Sequence, residues 1–121
     1  MRNFRWLIAN GALDIVQQDI FYFGGMVRSM KVARMANALG LTCMPHISGS
    51  GLGYLYMAHF VSVVSNAGKY HEFKGIAKNL PFDCPTSSLT SEDGQITVPT
   101  GHGNGIEIDP GFVAEHEVVV V

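Results

Sequence analysis

The sequence predicts an α/β fold built around a parallel β-sheet. Apolar segments of strand length alternate along the chain with helical segments of about 12 to 15 residues. The first such segment, residues 13–19, is almost continuously apolar, which is typical of a strand that is covered on both faces. Strands and helices that alternate in this way favour right-handed crossover connections between parallel strands.

The first elements follow from apolar periodicity and glycine positions. An amphipathic helix over residues 2–10 is expected to stop at Gly11, because glycine readily adopts the left-handed backbone that ends helices. The first strand covers residues 13–19. A pair of glycines then frees the backbone before a second helix over residues 26–39, whose packed side is expected to include Val27.

The next segments repeat this alternation. A second strand is predicted over residues 42–46, and a third helix over about residues 54–65. Residues 70–73 are predicted to form a third strand. Alternation along that strand places Glu72 on one face and His71 on the other.

A change of composition after Gly75 predicts a division into residues 1–79 and residues 80–121. The second part contains prolines and polar residues, which indicate loops and a hairpin. The turn of that hairpin is expected at residues 92–94, with residues 95–99 as its second arm. Residues 100–111 are glycine-rich and expected to be extended.

Composition and charge exclude several classes of protein. A hydrophobic content of 47% with 15% charged residues is that of a globular protein rather than a disordered one. The net charge of −2, without a basic cluster, gives no sign of a nucleic-acid partner. The most apolar run, residues 52–64, is shorter than the ~20 residues that span a bilayer, so no membrane association is expected. The two cysteines do not suggest a disulfide framework, and a reduced, cytoplasmic protein is expected.

Three ionisable residues stand at or near the predicted strand ends: Asp19, His46 and Glu72. Because the carboxyl ends of parallel strands meet at one edge of a sheet, these side chains are expected to lie close together. An aspartate beside a histidine fixes its tautomer and stabilises the imidazolium, which makes the histidine a better base. The pattern therefore indicates an acid–base site, although each residue could instead cap a helix or form a surface ion pair.

A glycine-rich segment at residues 49–53 suggests an alternative, a dinucleotide-binding turn between a strand and a helix. Tyr54 occupies the position of the third glycine in that motif, and such folds need no base at His46. The start of the helix could still bind an anionic group of the substrate, and the polar loop suits a hydroxylated one. The residues expected to bind substrate here are Ser48, Gly49 and Ser50.

Motifs spread over nearly the whole chain indicate a family. They are Gly11-Ala-Leu-Asp-Ile-Val-Gln-Gln-Asp19, Phe23-Gly-Gly, Ala33-x-Met-Ala, Met44-Pro-His46, Asn66-Ala-Gly, Glu72-Phe-Lys-Gly75 and the segment 101–109. Together they resemble the C-terminal part of the mandelate racemase/muconate lactonising enzyme family of the enolase superfamily. The succession of aspartate, paired glycines and proline-histidine is the specific part of this resemblance.

The resemblance implies part of a (β/α)₈ TIM barrel, with residues 1–79 supplying the sixth, seventh and eighth strands. Residues 80–121 would pack back on the barrel or on a capping domain. The implied reaction is removal of the proton α to a carboxylate, carried out by a Mg²⁺-dependent acid-sugar dehydratase. By the same resemblance His46 is the general base, Asp19 its dyad partner and Glu72 the acid that supports the developing oxyanion.

Ligands for the Mg²⁺ are expected upstream of Met1, because nothing in this sequence replaces the three carboxylates that the family uses. The resemblance therefore indicates a fragment of a longer enzyme that acts on a small carboxylate and is a homo-oligomer in its full-length form. Two alternatives stay open. One is a racemase or epimerase of the same family, and the other is a catalytically inactive, truncated remnant.

Overall fold

The computed structural model describes residues 1–48, 52–73, 82–83 and 91–115. The chain forms two compact units, Met1–Lys74 and Gly75–Val121. The division between residues 79 and 80 that the sequence suggests lies outside the described residues.

The first unit alternates helices with short strands. Its elements are α1 (Arg2–Ala9), β1 (Ile15–Val16), α2 (Gly25–Asn37), β2 (Thr42–Cys43) and α3 (Leu52–Val63). β1 and β2 are parallel neighbours, with α2 as the crossover between them. The parallel α/β arrangement expected from the sequence is therefore present, with strands shorter than the predicted ones.

A single register holds beyond the ends of β1 and β2. A further parallel bridge joins Asp19 to His46, at the same sequence offset that pairs Ile15 with Thr42. The backbone N–H of His46 donates to the carbonyl oxygen of Gln18 at 3.1 Å. The pairing therefore brings Asp19 and His46 to the same end of the sheet.

The third strand predicted over residues 70–73 is wrong. The chain meets β2 earlier, where Ala67 forms a parallel bridge with Cys43 and the N–H of Gly68 donates to the Cys43 carbonyl at 3.0 Å. A Cβ atom on Gly68 would lie only 2.4 Å from Cγ of Met44. Pairing is thus centred on small residues that allow this close approach, and not on the bulkier residues that follow.

Two groups of buried side chains hold the helices against the sheet. One joins α3 to α2 and β2, and consists of Ile20, Ala33, Cys43, Ile47, Tyr54, Met57, Phe60 and Val64. The other joins α1 to α2 and β1, and consists of Ile8, Val16, Val32 and Ala36. None of the helices in the described ranges combines the length and the hydropathy of a membrane span.

The buried stripe of α2 differs from the predicted one. It runs through Ser29, Val32, Ala33 and Ala36, which have the spacing of one helix face. Val27 lies about 200° around the helix from Ser29 and is 72% exposed, so its predicted place on the packed side is wrong.

The second unit contains a small antiparallel sheet and a short helix. β3 (Phe82–Asp83) pairs with β4 (Glu107–Ile108), and α4 (Pro110–Ala114) follows. The carboxylate of Asp109 caps α4 by accepting the N–H of Gly111 at 2.8 Å. Residues 107–111 therefore do not form the uniformly extended segment that the glycine content suggested.

The turn of the predicted hairpin is confirmed, but its predicted second arm at residues 95–99 forms no strand beyond the bridge at Gln95. Glu92 and Gln95 form an antiparallel bridge around Asp93 and Gly94. Both central residues have positive φ, 50° and 72°, as a two-residue turn of the primed type requires.

Candidate active site

Asp19 and His46 form a hydrogen-bonded pair where the two strands end. Nδ1 of His46 lies 2.9 Å from Oδ2 of Asp19. An ionised carboxylate can only accept a hydrogen bond, so the ring proton belongs on Nδ1. The neutral ring then carries its basic lone pair on Nε2. With 46% of the His46 side chain exposed, a ligand can reach this ring from solvent.

Glu72 approaches the other nitrogen of the same ring. Its Oε2 lies 3.5 Å from Nε2 of His46. A neutral Nε2 and an ionised carboxylate are both acceptors, so attraction between them requires one proton, carried by the ring or by the carboxyl group. The gap is too narrow for a carbon atom between the two groups. A substrate must therefore approach Nε2 from the open side of the ring or displace the Glu72 carboxyl group.

Four hydrogen bonds fix the Asp19 carboxylate. Oδ1 accepts the backbone N–H groups of Phe21 and Tyr22, each at 2.8 Å. Oδ2 accepts Nδ1–H of His46 and the hydroxyl of Ser48. Partial burial alone raises the pKa of Asp19, but the hydrogen bonds from Ser48, Tyr22, His46 and Phe21 outweigh it and lower the pKa from 3.8 to about 2. Asp19 is therefore ionised at any pH near neutrality.

The low pKa of Asp19 predicts a specific loss of stability in acid. Its contribution is fully present above about pH 5, where Asp19 is ionised in both the folded and the unfolded chain, and is lost as pH falls through 3.8 towards 2. Urea unfolding of the full-length protein between pH 2 and 5 measures this contribution, which is expected to be about 1–2 kcal/mol. Asp19→Asn should flatten this part of the profile, and an unchanged slope in the variant would contradict the assignment.

A buried polar side chain ties the two strands together behind the pair. The amide of Gln18 is fully buried and donates to Sγ of Cys43 at 3.2 Å and to the carbonyl of Ser29 at 3.4 Å. Burial raises the pKa of the Cys43 thiol, which the Gln18 contact offsets only in part. Cys43 is thus a neutral packing residue. The expectation that the strand at 13–19 is covered on both faces is wrong, because Ile15 is 45% exposed while Val16 and Gln18 are fully buried.

The structure places Ser48, predicted to bind substrate, against the pair itself. Its hydroxyl donates to Asp19, and its Oγ lies 3.5 Å from Nδ1 of His46. Gly49 and Ser50, the other predicted substrate-binding residues, lie outside the described residues. Most of the glycine-rich segment at 49–53 lies there as well.

Two backbone donors to Asp19 were not among the residues predicted for the site. The N–H groups of Phe21 and Tyr22 bind the carboxylate in a turn that follows the strand directly. An aspartate at the end of a strand, followed by residues that leave the sheet, is a recognisable signal for such a turn.

The described side chains do not form a site that suits Mg²⁺. Nowhere in the ranges 1–48, 52–73, 82–83 and 91–115 do three aspartate, glutamate, histidine or cysteine side chains converge as a metal-binding group. The two carboxylates at the candidate site, Asp19 and Glu72, both contact His46 instead. Asp19, His46 and Glu72 are all groups that can bind and release a proton.

Comparison with known proteins assigns the chain to a family. The model of the enolase C-terminal domain-like family matches residues 1–112. Arabinonate dehydratase of Saccharolobus solfataricus is 27% identical, over 93% of this chain and 31% of its own length. D-galactonate dehydratase of Pectobacterium atrosepticum is 28% identical, also over 93% of this chain and 31% of its own length. A Roseobacter denitrificans protein, provisionally assigned as a racemase, has a crystal structure that aligns with a TM-score of 0.80 and 34% identity, covering 95% of this chain and 32% of that one.

These matches cover nearly all of this chain but leave most of each relative unaligned. The chain spans about a third of the length of the curated relatives that it matches. They confirm the resemblance to mandelate racemase and its relatives that the motifs indicated. The chain belongs to the enolase C-terminal domain-like family of the enolase superfamily.

Proposed function

We propose that this chain supplies the acid–base residues of a longer enzyme that removes the proton α to a carboxylate, in the manner of an acid-sugar dehydratase. The observation that carries the proposal is the Asp19–His46 pair with Glu72 at the second ring nitrogen. Membership of the family and the two acid-sugar dehydratases among the relatives support this class of reaction. The assignment of residues 1–79 to the sixth to eighth strands of the barrel belongs to the same proposal, as does a homo-oligomeric full-length form.

His46 is the general base. Its Nδ1–H donates a hydrogen bond to Asp19, so the lone pair on Nε2 is available to take the α proton. The imidazolium that forms is stabilised by the ionised Asp19. Because Asp19 has a pKa of about 2, it stays charged and does not take the proton itself.

Dehydration uses the same nitrogen twice. After the α proton has moved to Nε2, the C–O bond at the β carbon breaks, and His46 returns this proton to the departing hydroxyl as water. The enol that remains converts to a 2-oxo-3-deoxy acid. One residue can serve both steps where the α proton and the β hydroxyl lie on the same face of the substrate.

Glu72 is the acid that donates a hydrogen bond to the developing oxyanion. Oε2 of Glu72 lies 3.5 Å from Nε2 of His46, so a proton held on Oε2 would face the position where the reaction takes place. A carboxylic acid can donate only while protonated, so this role requires the proton to reside on Glu72 when substrate binds.

The family resemblance also implies Mg²⁺, for which the described residues offer no site. We assign its ligands to parts of the longer protein outside this sequence and route no step through them. The substrate class in the proposal is a small hydroxylated carboxylate, such as the arabinonate or galactonate named in the relatives.

A product assay tests the proposal. The full-length protein is incubated with arabinonate and with galactonate in D₂O containing Mg²⁺, and the products are followed by NMR. A dehydratase is expected to release water and form the 2-oxo-3-deoxy acid. Deuterium at the α carbon with inversion, and no loss of water, would instead identify a racemase or epimerase, the second candidate that the Roseobacter structure favours. If the protein is folded but neither loses water from the substrate nor exchanges its α proton, it is an inactive remnant and the proposal is refuted.

A further inference from the structure

Ser48 and His46 share one oxygen of Asp19. The Ser48 hydroxyl and Nδ1–H of His46 both donate to Oδ2, and Oγ of Ser48 lies 3.5 Å from Nδ1. A serine hydroxyl has a single proton to donate. Here that proton goes to the carboxylate, so Ser48 reduces the negative charge that Oδ2 offers to the imidazole.

Ser48 is not needed to hold Asp19 in place. The other carboxylate oxygen, Oδ1, accepts the backbone N–H groups of Phe21 and Tyr22, and these fix the orientation of the carboxylate. We therefore expect the geometry of the pair to persist when the Ser48 hydroxyl is removed. What changes is how strongly Asp19 retains the proton on the ring of His46.

We propose that Ser48 acts on His46 through Asp19: by sharing Oδ2 it limits how strongly the carboxylate retains a proton on the ring, and so keeps His46 a usable base. This inference rests on the proposed function of His46. Among the residues that the structure describes, the ionisable groups that contact the His46 ring are Asp19 and Glu72. Ser48→Ala replaces neither of these residues, so the effect of losing the hydroxyl bond to Asp19 can be measured with both still in place.

The kinetic test compares Ser48→Ala with Ser48→Thr in the full-length protein. Without the hydroxyl, Asp19 stabilises the imidazolium more strongly, so the acidic limb of the kcat/KM profile should move to higher pH by roughly half a unit or more. KM should stay within about twofold, because no substrate contact is lost. Ser48→Thr retains a hydroxyl and should restore the profile. The matched control is Ser62→Ala on α3, which removes a hydroxyl that donates to the carbonyl of His59 at 2.8 Å and should change neither quantity.

Two kinetic results would overturn the inference. A raised KM with an unmoved acidic limb would show that Ser48 contacts the substrate, as the sequence suggested. If the pH profile of kcat/KM and the KM of Ser48→Ala are both unchanged, as expected for the Ser62→Ala control, the Ser48 hydroxyl has no effect on the pair.

A measurement without substrate separates this inference from the proposed function. The ring resonances of His46, assigned by their loss in His46→Asn, are followed by NMR as pH is varied. In Ser48→Ala they should titrate at higher pH whether or not the protein turns over an acid sugar. If the shift is present but no turnover is found, the proposed function fails and the coupling through Asp19 stands. If the ring titrates as in the unmodified protein, the coupling is refuted.

Discussion

Replacing His46 with asparagine is expected to lower α-proton exchange by roughly 10²–10⁴-fold, the usual contribution of a general base. The asparagine amide can still donate to Asp19 in place of Nδ1–H, so the carboxylate keeps its partner. It has no basic lone pair in place of Nε2, so nothing accepts the α proton. Deuterium incorporation into the substrate in D₂O, measured by NMR in the full-length protein, gives the rate.

The control for this change is another histidine of the same unit. His59→Asn on α3 alters a residue that the proposal does not use, and exchange should stay close to that of the unmodified protein. Binding of Mg²⁺ should be the same in both variants. Exchange in His46→Asn within a few-fold of the unmodified rate would refute His46 as the base.

Asp19→Asn should cause a loss of similar size for a different reason. The asparagine Oδ1 can still accept the N–H groups of Phe21 and Tyr22, so the turn is preserved. Its Nδ2 then faces His46 and can only donate. The ring must accept at Nδ1 and carry its proton on Nε2, which leaves no base directed at the substrate. Exchange is expected to fall by roughly 10²–10⁴-fold.

Nitrogen NMR of the His46 ring reports the cause directly, because it shows which nitrogen carries the proton. In Asp19→Asn the proton should move from Nδ1 to Nε2. The control is Asp14→Asn, an exposed residue just before β1, at the opposite end of this strand segment from Asp19. An Asp19→Asn protein that keeps both its exchange rate and the proton on Nδ1 would contradict the dyad.

The sequence predicts the pairing of Asp19 with His46 because strand order and strand ends can be read locally. An apolar segment that ends in an acidic residue, a glycine-opened helix and a second segment that ends in histidine determine which residues meet. The structure gives the atoms and the 2.9 Å separation. The roles of Asp19, His46 and Glu72 stay predictions.

The remaining features depend on contacts that local sequence does not encode. Glu72 reaches His46 although residues 70–73 form no strand, because the close approach at Gly68 sets where the third segment meets the sheet. The burial of Gln18 depends on Cys43 and Ser29, which are distant in sequence. Secondary-structure propensity depends on residues that are close in sequence, so it does not identify partners that are brought together only by folding.

Because β1 and β2 keep one register, the face to which Asp19 and His46 point depends on the number of residues that precede each of them in its strand. Neighbouring residues in a strand point to opposite faces. Losing a single residue between Cys43 and His46 would turn the imidazole towards the helices and away from Asp19, even if every backbone hydrogen bond re-formed. Length changes in the turn before α2 leave this parity intact. A design that moves the pair into another protein must therefore keep the number of residues along each strand, whereas the residues that connect the two strands can vary.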